Sequence, residues 1–382
     1  MTELVKLKIG LLCQGVRLAE QSYTKIALGT YPDGGKSRAG IAGSGRNFVL
    51  NPGQEDEAIV NIGVLQPFLD QSPYEFRIID GKGWILENGK RIVRATIREP
   101  EWHSTPLFDK VQLHGRDSLA LALTNQCIFK RQGKGCKFCI IDVGEKVVVH
   151  QPKDIAEAVR RIQEEPQLRR YTTVDGEEGV IELKDVNINS GALTEEATLR
   201  QHCETTKAIR EVSDLPIGVQ ICPISRRNTE ALVSAGVNEI SFNLEVFSDE
   251  ARIEVIPGKA KVHSKDDYLR AMREAVEILG PNQVESWMLI GLEPKEETIK
   301  GMEAIAKMGA IPLPKPFRPL YGAEYERMPP PSVEEASEVY EAWMEVVKDH
   351  RLDPSQTKAG CGRCGACFPV KELWPGLAKT TL

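Results

Sequence analysis

Short apolar runs alternate with segments of helical periodicity along most of the chain after residue 115. A short apolar run between polar turns is typical of a buried strand, whereas apolar residues three and four positions apart indicate an amphipathic helix. The predicted strands are 118–123, 186–189, 217–221, 239–244, 284–290 and 311–319. The predicted helices are 154–163, 195–212, 228–235, 266–279 and 296–308. Strands that alternate with helices predict βα units on a parallel sheet, and six such units form a partial barrel of the α/β class.

The first hundred residues follow a different pattern, with short β-like runs and frequent turn residues. Strands are predicted at 74–79 and within 83–97, where Asn88-Gly89 separates two apolar runs and indicates a two-residue hairpin. We therefore predict an N-terminal β-rich or mixed domain (1–105), a partial barrel (106–330) and a C-terminal region (331–382). The last of these contains a helix from 333 to 350 and a cysteine-rich tail.

Composition and charge restrict the possible partners and location. The chain has 382 residues, a formal net charge of −6 and nine cysteines. This balance offers no broad basic face for nucleic acid, and no apolar run is long enough to predict a membrane span. The first residues also lack the features of a secretory signal. Nine cysteines without an export signal predict a cytoplasmic protein that uses them for metal or redox chemistry rather than for disulfides.

Three cysteines, Cys127, Cys136 and Cys139, lie in one loop directly after the first predicted barrel strand. Loops at the carboxyl ends of barrel strands form the active site in such folds. Three thiolates from one loop are able to hold three irons of a [4Fe–4S] cluster and leave the fourth iron open to another ligand. Basic residues in the loop, such as Lys130 and Lys137, are expected to lower the thiol pKa values. Zinc is the alternative, although structural zinc usually has four ligands.

A second cysteine group, Cys361, Cys364 and Cys367, lies in the tail. Its spacing is typical of ferredoxin-type cluster sequences, which continue to a fourth cysteine. We predict a second iron–sulfur cluster here, with one iron bound either by a distant cysteine or by a ligand that is not cysteine. The candidate cysteines are Cys13, Cys203 and Cys222. A zinc site that holds the tail in place is the alternative.

The first cysteine loop resembles that of radical S-adenosylmethionine (SAM) enzymes. An aromatic residue precedes the third cysteine in that family, and Phe138 occupies this place. The gap of eight residues between Cys127 and Cys136 is longer than the family's commonest gap. The resemblance extends over roughly residues 110–370 and is to the biotin-synthase-like branch. Within it, the chain is similar to the two-protein lipoyl synthases of archaea and some bacteria, and to radical SAM proteins of nitrilase gene clusters.

This resemblance implies that SAM-binding residues follow several of the predicted strands. It implies contacts from Asn189, Ser190 and Gly191 to the SAM amino group, from Asn243 and Glu245 to the ribose hydroxyls or the amino acid part, and from Gly291 to the adenine. Either Arg252 or Lys259 is expected to bind the SAM carboxylate. Asn243 and Glu245 share one face of their predicted strand because side chains alternate along a strand.

The resemblance also implies an activity. A [4Fe–4S] cluster with SAM would generate a 5′-deoxyadenosyl radical that abstracts hydrogen from an unactivated carbon. The lipoyl synthases imply sulfur insertion into a protein-bound octanoyl chain, with the tail cluster as sulfur source, a second radical SAM protein as partner, and ferredoxin or flavodoxin as electron donor. The nitrilase-associated proteins imply an unknown small-molecule substrate and a structural metal in the tail. A binding subunit without turnover and a tRNA-modifying enzyme are further alternatives, and the net charge of −6 disfavours the second.

Overall fold

The computed structural model describes residues 1–19, 45–141 and 147–374. Parts of all three predicted regions, residues 20–44, 142–146 and 375–382, therefore lie outside the described residues. The N-terminal region contains helix α1 (Glu3–Gln14) and a six-stranded sheet in the order β1-β4-β5-β6-β2-β3. Its strands are β1 (Arg17–Leu18), β2 (Gly45–Leu50), β3 (Ala58–Gly63), β4 (Tyr74–Ile79), β5 (Lys82–Glu87) and β6 (Lys90–Thr96).

The hairpin between β5 and β6 is formed as predicted. Glu87 pairs with Lys90, which leaves a loop of Asn88 and Gly89. Both loop residues have positive φ, 49° and 83°. This backbone conformation is required by the tight hairpin turn that Asn-Gly favours.

A second sheet carries six parallel strands and one antiparallel edge strand, in the order β15-β14-β13-β12-β11-β8-β7. Its strands are β7 (Gln112–His114), β8 (Ser118–Ala122), β11 (Asp185–Asn189), β12 (Ile217–Gln220), β13 (Glu239–Ser241), β14 (Val284–Ile290) and β15 (Ile311–Pro316). Strands β9 (Arg170–Thr172) and β10 (Glu178–Val180) form a separate two-stranded ribbon. The predicted fold class, a partial barrel of six parallel strands, is confirmed.

Helices connect and cover these strands. After α1 they are α2 (Ile128–Arg131), α3 (Pro152–Glu164), α4 (Glu195–Arg210), α5 (Arg226–Ala235), α6 (Asp249–Val255), α7 (Pro257–Val262), α8 (Lys265–Leu279), α9 (Lys295–Lys307), α10 (Val333–Asp349), α11 (Gly360–Cys364) and α12 (Val370–Leu373). Helix α8 begins with a full capping box, in which Ser264 and Asp267 bind each other's backbone N–H groups. No helix in the described ranges is both long and apolar enough to cross a bilayer.

The barrel strands are largely buried, as is usual for a parallel sheet that is covered on both faces. In β14 every residue except Trp287 is buried, including the polar Glu285 and Ser286. Two strands are each three residues shorter than predicted: β13 ends at Ser241 rather than at residue 244, and β15 ends at Pro316 rather than at residue 319. After β13, side chains supplement the backbone hydrogen bonds to β14. Asn243 Oδ1 accepts the Trp287 N–H and Ser286 Oγ accepts the Leu244 N–H, both at 3.1 Å, while the Glu245 N–H donates to the Trp287 carbonyl at 2.8 Å.

The N-terminal sheet packs across the open side of the partial barrel, between β7 and the end of β15. Asn47 on β2 donates to the Leu113 carbonyl on β7 at 3.3 Å. On β3, Asn61 accepts two hydrogen bonds from Arg318, which follows β15, and donates its backbone N–H to the Ala366 carbonyl at 2.8 Å. The first region, the barrel and the tail are therefore joined at one residue of β3.

Helix α1 also binds the tail, through a lysine with no solvent exposure. Lys8 Nζ lies 2.8 Å from the Glu372 carboxylate and 2.9 Å from the Gly365 carbonyl. We expect Lys8→Met to lower the free energy of unfolding by about 3 kcal/mol, because it leaves a largely buried carboxylate without its partner. Chemical denaturation under anaerobic conditions measures this change.

The matched control lies two residues away on the same helix. Lys6 pairs with Glu3, and their side chains are 56% and 91% exposed. Lys6→Met should change the stability by less than about 0.5 kcal/mol, since exposed ion pairs contribute little. Equal losses in the two variants would show that the Lys8 contacts do not stabilise the docked tail.

Candidate active site

A cavity of about 290 Å³ lies at the carboxyl ends of the barrel strands. The final residues of four strands line it: Ala122, Asn189, Gln220 and Pro316. The whole predicted cysteine loop reaches the same cavity, since Cys127, Cys136, Phe138 and Cys139 are all among its lining residues. The structure thus brings together the three cysteines where the strand order predicted them.

Backbone contacts hold this loop in place. The Ile128 N–H donates to the Ala192 carbonyl at 2.8 Å, so the loop is bound to the turn after β11. Gly191 in that turn approaches the loop closely: a Cβ there would lie 1.7 Å from the Gln126 carbonyl oxygen. Any side chain at position 191 would therefore push the two loops apart.

The expected lowering of the thiol pKa values is not found. Burial raises the pKa of Cys136 and of Cys139, and it outweighs the opposing effects of Lys259 on the first and of Lys130 on the second. Lys137 pairs with Glu254 and Glu324 instead of facing the sulfurs. Because burial disfavours an uncompensated thiolate, these thiols are stabilised as anions only by a bound cationic group.

The predicted SAM-binding residues fall into two groups. Asn189, Ser190, Gly191, Asn243, Glu245 and Lys259 all line the cavity. Lys259 Nζ lies 2.9 Å from Glu245 Oε1, while Glu245 Oε2 is buried and has no hydrogen-bond partner among the described residues. Burial opposes the charge on Lys259, but the neighbouring Glu245 prevails and raises the pKa of the ammonium group. The cavity wall therefore contains an ion pair in which one carboxylate oxygen is still an open acceptor.

Arg252 and Gly291 do not line the cavity. The Arg252 guanidinium is 2% exposed, donates to the His263 carbonyl at 2.8 Å and packs over the Tyr268 ring. It therefore binds the α6–α8 segment together, and of the two candidate cations only Lys259 reaches the site. Gly291 has φ +91° and packs against Pro331, whereas Leu289, two residues earlier, lines the cavity.

Several polar or aromatic lining residues were not predicted, among them Gln220, Trp287 and Lys315. Lys315 lies 4.3 Å from the centre of the Trp287 ring. The signal that would have identified Gln220 and Lys315 is their place at the carboxyl end of a predicted strand, where a polar residue interrupts an apolar run.

The tail cysteines lie inside the barrel, next to this cavity rather than in its wall. Cys361, Cys364 and Cys367 are all less than 8% exposed. Cys361 Sγ accepts a hydrogen bond from Gln220 Nε2 at 3.3 Å, and Gln220 Oε1 accepts one from Asn243 Nδ2 at 3.3 Å. Gln220 therefore links one tail thiol, that of Cys361, to the cavity.

Carboxylates at the amino ends of the strands hold the tail loop. Glu285 accepts the N–H groups of Cys361 and Gly362 at 3.0 and 2.7 Å. Asp185 accepts the Gly360 N–H at 3.0 Å and binds Arg363 at 2.8 Å. These hydrogen bonds and the Asp185–Arg363 ion pair fix the loop on the barrel floor.

His114, at the end of β7, contacts two of the tail thiols. Its Nδ1 lies 3.2 Å from Cys364 Sγ, and its Nε2 lies 3.7 Å from Cys367 Sγ. Burial opposes its protonation, but thiolates of Cys364 and Cys367 would raise the pKa of His114 to about 10. Burial likewise raises the pKa of Cys367, but Lys315 and His114 outweigh it and bring the value to about 6.

The cysteines proposed as distant fourth ligands lie elsewhere. Cys222 lines the cavity, and Cys203 on α4 donates to the Ala231 carbonyl at 3.8 Å. Cys13 is buried in the hydrophobic core on α1, where burial raises its pKa to about 12. Within the described ranges, no three His, Cys, Asp or Glu side chains surround a single metal ion.

Comparison with known proteins identifies the central part of the chain. Residues 122–303 match the family model described as the radical SAM superfamily. The bacteriochlorophyllide c C-7(1)-hydroxylase of Chlorobaculum limnaeum is 26% identical over 342 residues, with 79% of this chain and 82% of the relative covered.

Two solved structures are similar over part of the chain. The [FeFe]-hydrogenase maturase HydG from Carboxydothermus hydrogenoformans has 18% identity and a TM-score of 0.47, over 61% of this chain and 52% of that chain. Methylornithine synthase (PylB) has 15% identity and a TM-score of 0.46, over 61% and 63% of the two chains. This chain thus matches about half to two thirds of the length of these two proteins.

The carboxyl groups at the barrel floor generate a prediction about pH. Burial raises the pKa of Glu285 to about 8 and that of Glu239 well above its ordinary value. Neither Glu239 oxygen has a hydrogen-bond partner among the described residues, and Gly218 and Gly360 leave the space that its carboxyl occupies. Between about pH 4.5 and 8, the folded chain therefore holds protons that the unfolded chain has lost.

Stability should consequently fall as pH rises through this window, by up to about 1.4 kcal/mol per pH unit for each such group. Glu239→Gln keeps the shape of the neutral acid without a titrating proton, so its stability should fall less steeply. Denaturation at pH 5.5, 6.5 and 7.5 compares the two slopes. Identical slopes would mean that Glu239 is ionised in the folded protein.

Proposed function

Residues 122–303 belong to the radical SAM superfamily, and from this premise we propose that the chain removes a hydrogen atom from an unactivated carbon of a substrate in the barrel cavity. The family implies a [4Fe–4S] cluster together with SAM. When bound, they supply a 5′-deoxyadenosyl radical, which is the hydrogen-abstracting species. The side chains described above would bind and orient this cofactor and the substrate.

The cysteine loop fits this cofactor. Cys127, Cys136 and Cys139 reach one cavity, and burial raises the pKa of Cys136 and of Cys139, so a bound cationic group would stabilise their anions. Three protein thiolates leave one iron for a ligand from the cavity. The loop residue Phe138 lines the same cavity.

The pair of Lys259 and Glu245 fits the amino acid part of SAM. The Lys259 ammonium attracts a carboxylate, and the unpartnered Glu245 Oε2 is an acceptor for an ammonium group. Asn243 and the turn Asn189-Ser190-Gly191 supply further polar groups on the same wall. These residues orient SAM against the open iron in this proposal.

The position of the tail thiols is the observation that supports a more specific reaction. Cys361 contacts the cavity-lining Gln220, and the tail loop lies on the barrel floor rather than on the outer surface. A metal that only stabilises the tail can lie far from the substrate, whereas a sulfur source must lie next to the substrate cavity. We therefore favour sulfur insertion of the lipoyl synthase type, into an octanoyl chain on a protein lysine. The apolar lining residues Leu289, Phe317 and Leu320 suit such a chain.

The partners of this reaction follow from the same proposal. A second radical SAM protein would share the two sulfur insertions, and ferredoxin or flavodoxin would supply the electrons. Alternatively, the substrate is a small molecule with an acidic group and the tail holds a structural metal. Lys315 and Arg318 in the cavity wall favour an anionic substrate. The similarity to a hydroxylase favours oxygen rather than sulfur as the inserted atom in this second case.

Metal content and isotope transfer test the first proposal. Anaerobically reconstituted protein should contain about eight irons, and the variant Cys361→Ala/Cys364→Ala/Cys367→Ala about four. Both proteins should form methionine and 5′-deoxyadenosine on reduction with SAM. Only the unsubstituted chain, reconstituted with ³⁴S-sulfide, should transfer ³⁴S to an octanoylated lysine peptide. The mass spectrum of the peptide measures this transfer.

Two results would redirect the assignment. About four irons in both proteins, with zinc lost from the variant, would make the tail structural. Oxygen from ¹⁸O-labelled water in a product, without ³⁴S, would establish hydroxylation instead.

SAM binding provides a separate test of the Lys259 assignment. Lys259→Met should weaken SAM binding by at least about tenfold, because it removes a charge-assisted hydrogen bond from a buried site. Lys261→Met is the matched control, since this lysine lies on the same helix and is exposed. Equilibrium binding to the reconstituted protein measures both. Unchanged affinity in Lys259→Met would exclude Lys259 as the carboxylate ligand.

A further inference from the structure

We infer that His114 is the fourth protein ligand of the tail site, where its imidazole joins Cys361, Cys364 and Cys367 on an iron–sulfur cluster. This inference rests on the proposed function of the tail cysteines as cluster ligands. It assigns the missing ligand to a nitrogen from the edge strand of the barrel, 250 residues before Cys364 in the chain.

The first support is contact. Both ring nitrogens of His114 lie within 3.2 to 3.7 Å of a tail sulfur, Nδ1 at Cys364 and Nε2 at Cys367. Two separate tail cysteines thus approach the two ends of one imidazole. Sulfur and imidazole nitrogen are both common metal ligands, so the same contacts suit a shared metal site.

Two other buried histidines contact oxygen or nitrogen atoms. His103 Nε2 accepts the Leu113 N–H at 2.8 Å, and its Nδ1 lies 2.5 Å from Glu99. His202 donates from Nδ1 to the Thr198 carbonyl at 2.8 Å, and its Nε2 has no partner among the described residues. The partners recorded for His114 in the described part of the chain are sulfur atoms. Its surroundings are therefore those of a metal ligand rather than of a core histidine.

The second support is the backbone beside His114. Gly115 has φ +61°, and a Cβ there would lie 2.4 Å from Cys364 Sγ. The turn after β7 thus approaches the tail so closely that only glycine fits. This approach brings the preceding imidazole to the sulfurs, and the Asn61 to Ala366 hydrogen bond holds the tail from the opposite side.

Charge and coordination chemistry agree with this assignment. One imidazole nitrogen would bind iron and the other would donate its N–H to a cysteine sulfur, an arrangement that fixes the ring orientation. With a neutral nitrogen ligand, the net charge of the cluster and its ligands is one unit less negative than with a fourth thiolate. Substitution of histidine for cysteine raises the potential of iron–sulfur clusters, so the tail cluster should be easier to reduce than one with four cysteines.

The test uses the full chain with Cys127→Ala/Cys136→Ala/Cys139→Ala, which removes the signals of the first site. Pulsed electron paramagnetic resonance of the reduced protein should show strong ¹⁴N coupling from a coordinated imidazole. Growth with ¹⁵N-histidine should convert this coupling to that of ¹⁵N without any substitution. His114→Ala should abolish it, and the control variant His202→Asn should retain it.

His114→Cys is the conservative variant, because cysteine keeps a metal ligand at this position. It separates the loss of the imidazole from a failure of the tail to fold. It should bind about four irons, lose the nitrogen coupling and lower the midpoint potential relative to the same chain with His114. A tail cluster that forms but shows no histidine nitrogen coupling, or keeps it in His114→Ala, would overturn the ligand inference and leave the sulfur-insertion proposal intact. Absence of any iron from the tail would overturn both, and the iron count distinguishes these outcomes.

Discussion

The attachment of the tail loop to the barrel floor is the interaction on which the rest of the site depends. Carboxylates of Asp185 and Glu285, at the amino ends of two parallel strands, accept the N–H groups of residues 360–362. Buried carboxylates are costly unless such donors and cations meet them, and Arg363 supplies the cation. This attachment places Cys361 next to the cavity. The loop of Cys127, Cys136 and Cys139 lines the same cavity from the carboxyl ends of the strands.

This arrangement gives the N-terminal sheet a structural role. It covers the open side of the partial barrel and binds both Arg318 of the cavity wall and the tail at Ala366. The face made by β2 and β3 also packs against Cys364 and Ala366 of the tail. Three parts of the chain that are distant in sequence therefore meet beside the cavity.

The barrel and the first cysteine loop could be predicted because they depend on local patterns. Short strand-like runs alternate with segments of helical periodicity, and the loop of Cys127 follows the first parallel strand of the barrel. The features of the site that could not be predicted depend on long-range packing. Arg252 and Lys259 are both cations near the end of β13, but only the packing of α6 against Tyr268 shows which one faces the cavity. His114 carries no local signal, since its partners lie 250 or more residues away.

The contact of Lys8 with Gly365 and Glu372 has a consequence for biosynthesis. The first helix is synthesised long before the tail, so its buried lysine finds its partner at Gly365 only after a further 357 residues have been translated. Contacts of such large sequence separation form slowly, so until then a nascent chain would hold an unpartnered helix and a barrel with an open floor. During this interval Cys127, Cys136 and Cys139 are already translated, whereas the tail cysteines are not. The two cysteine groups therefore become available in that order.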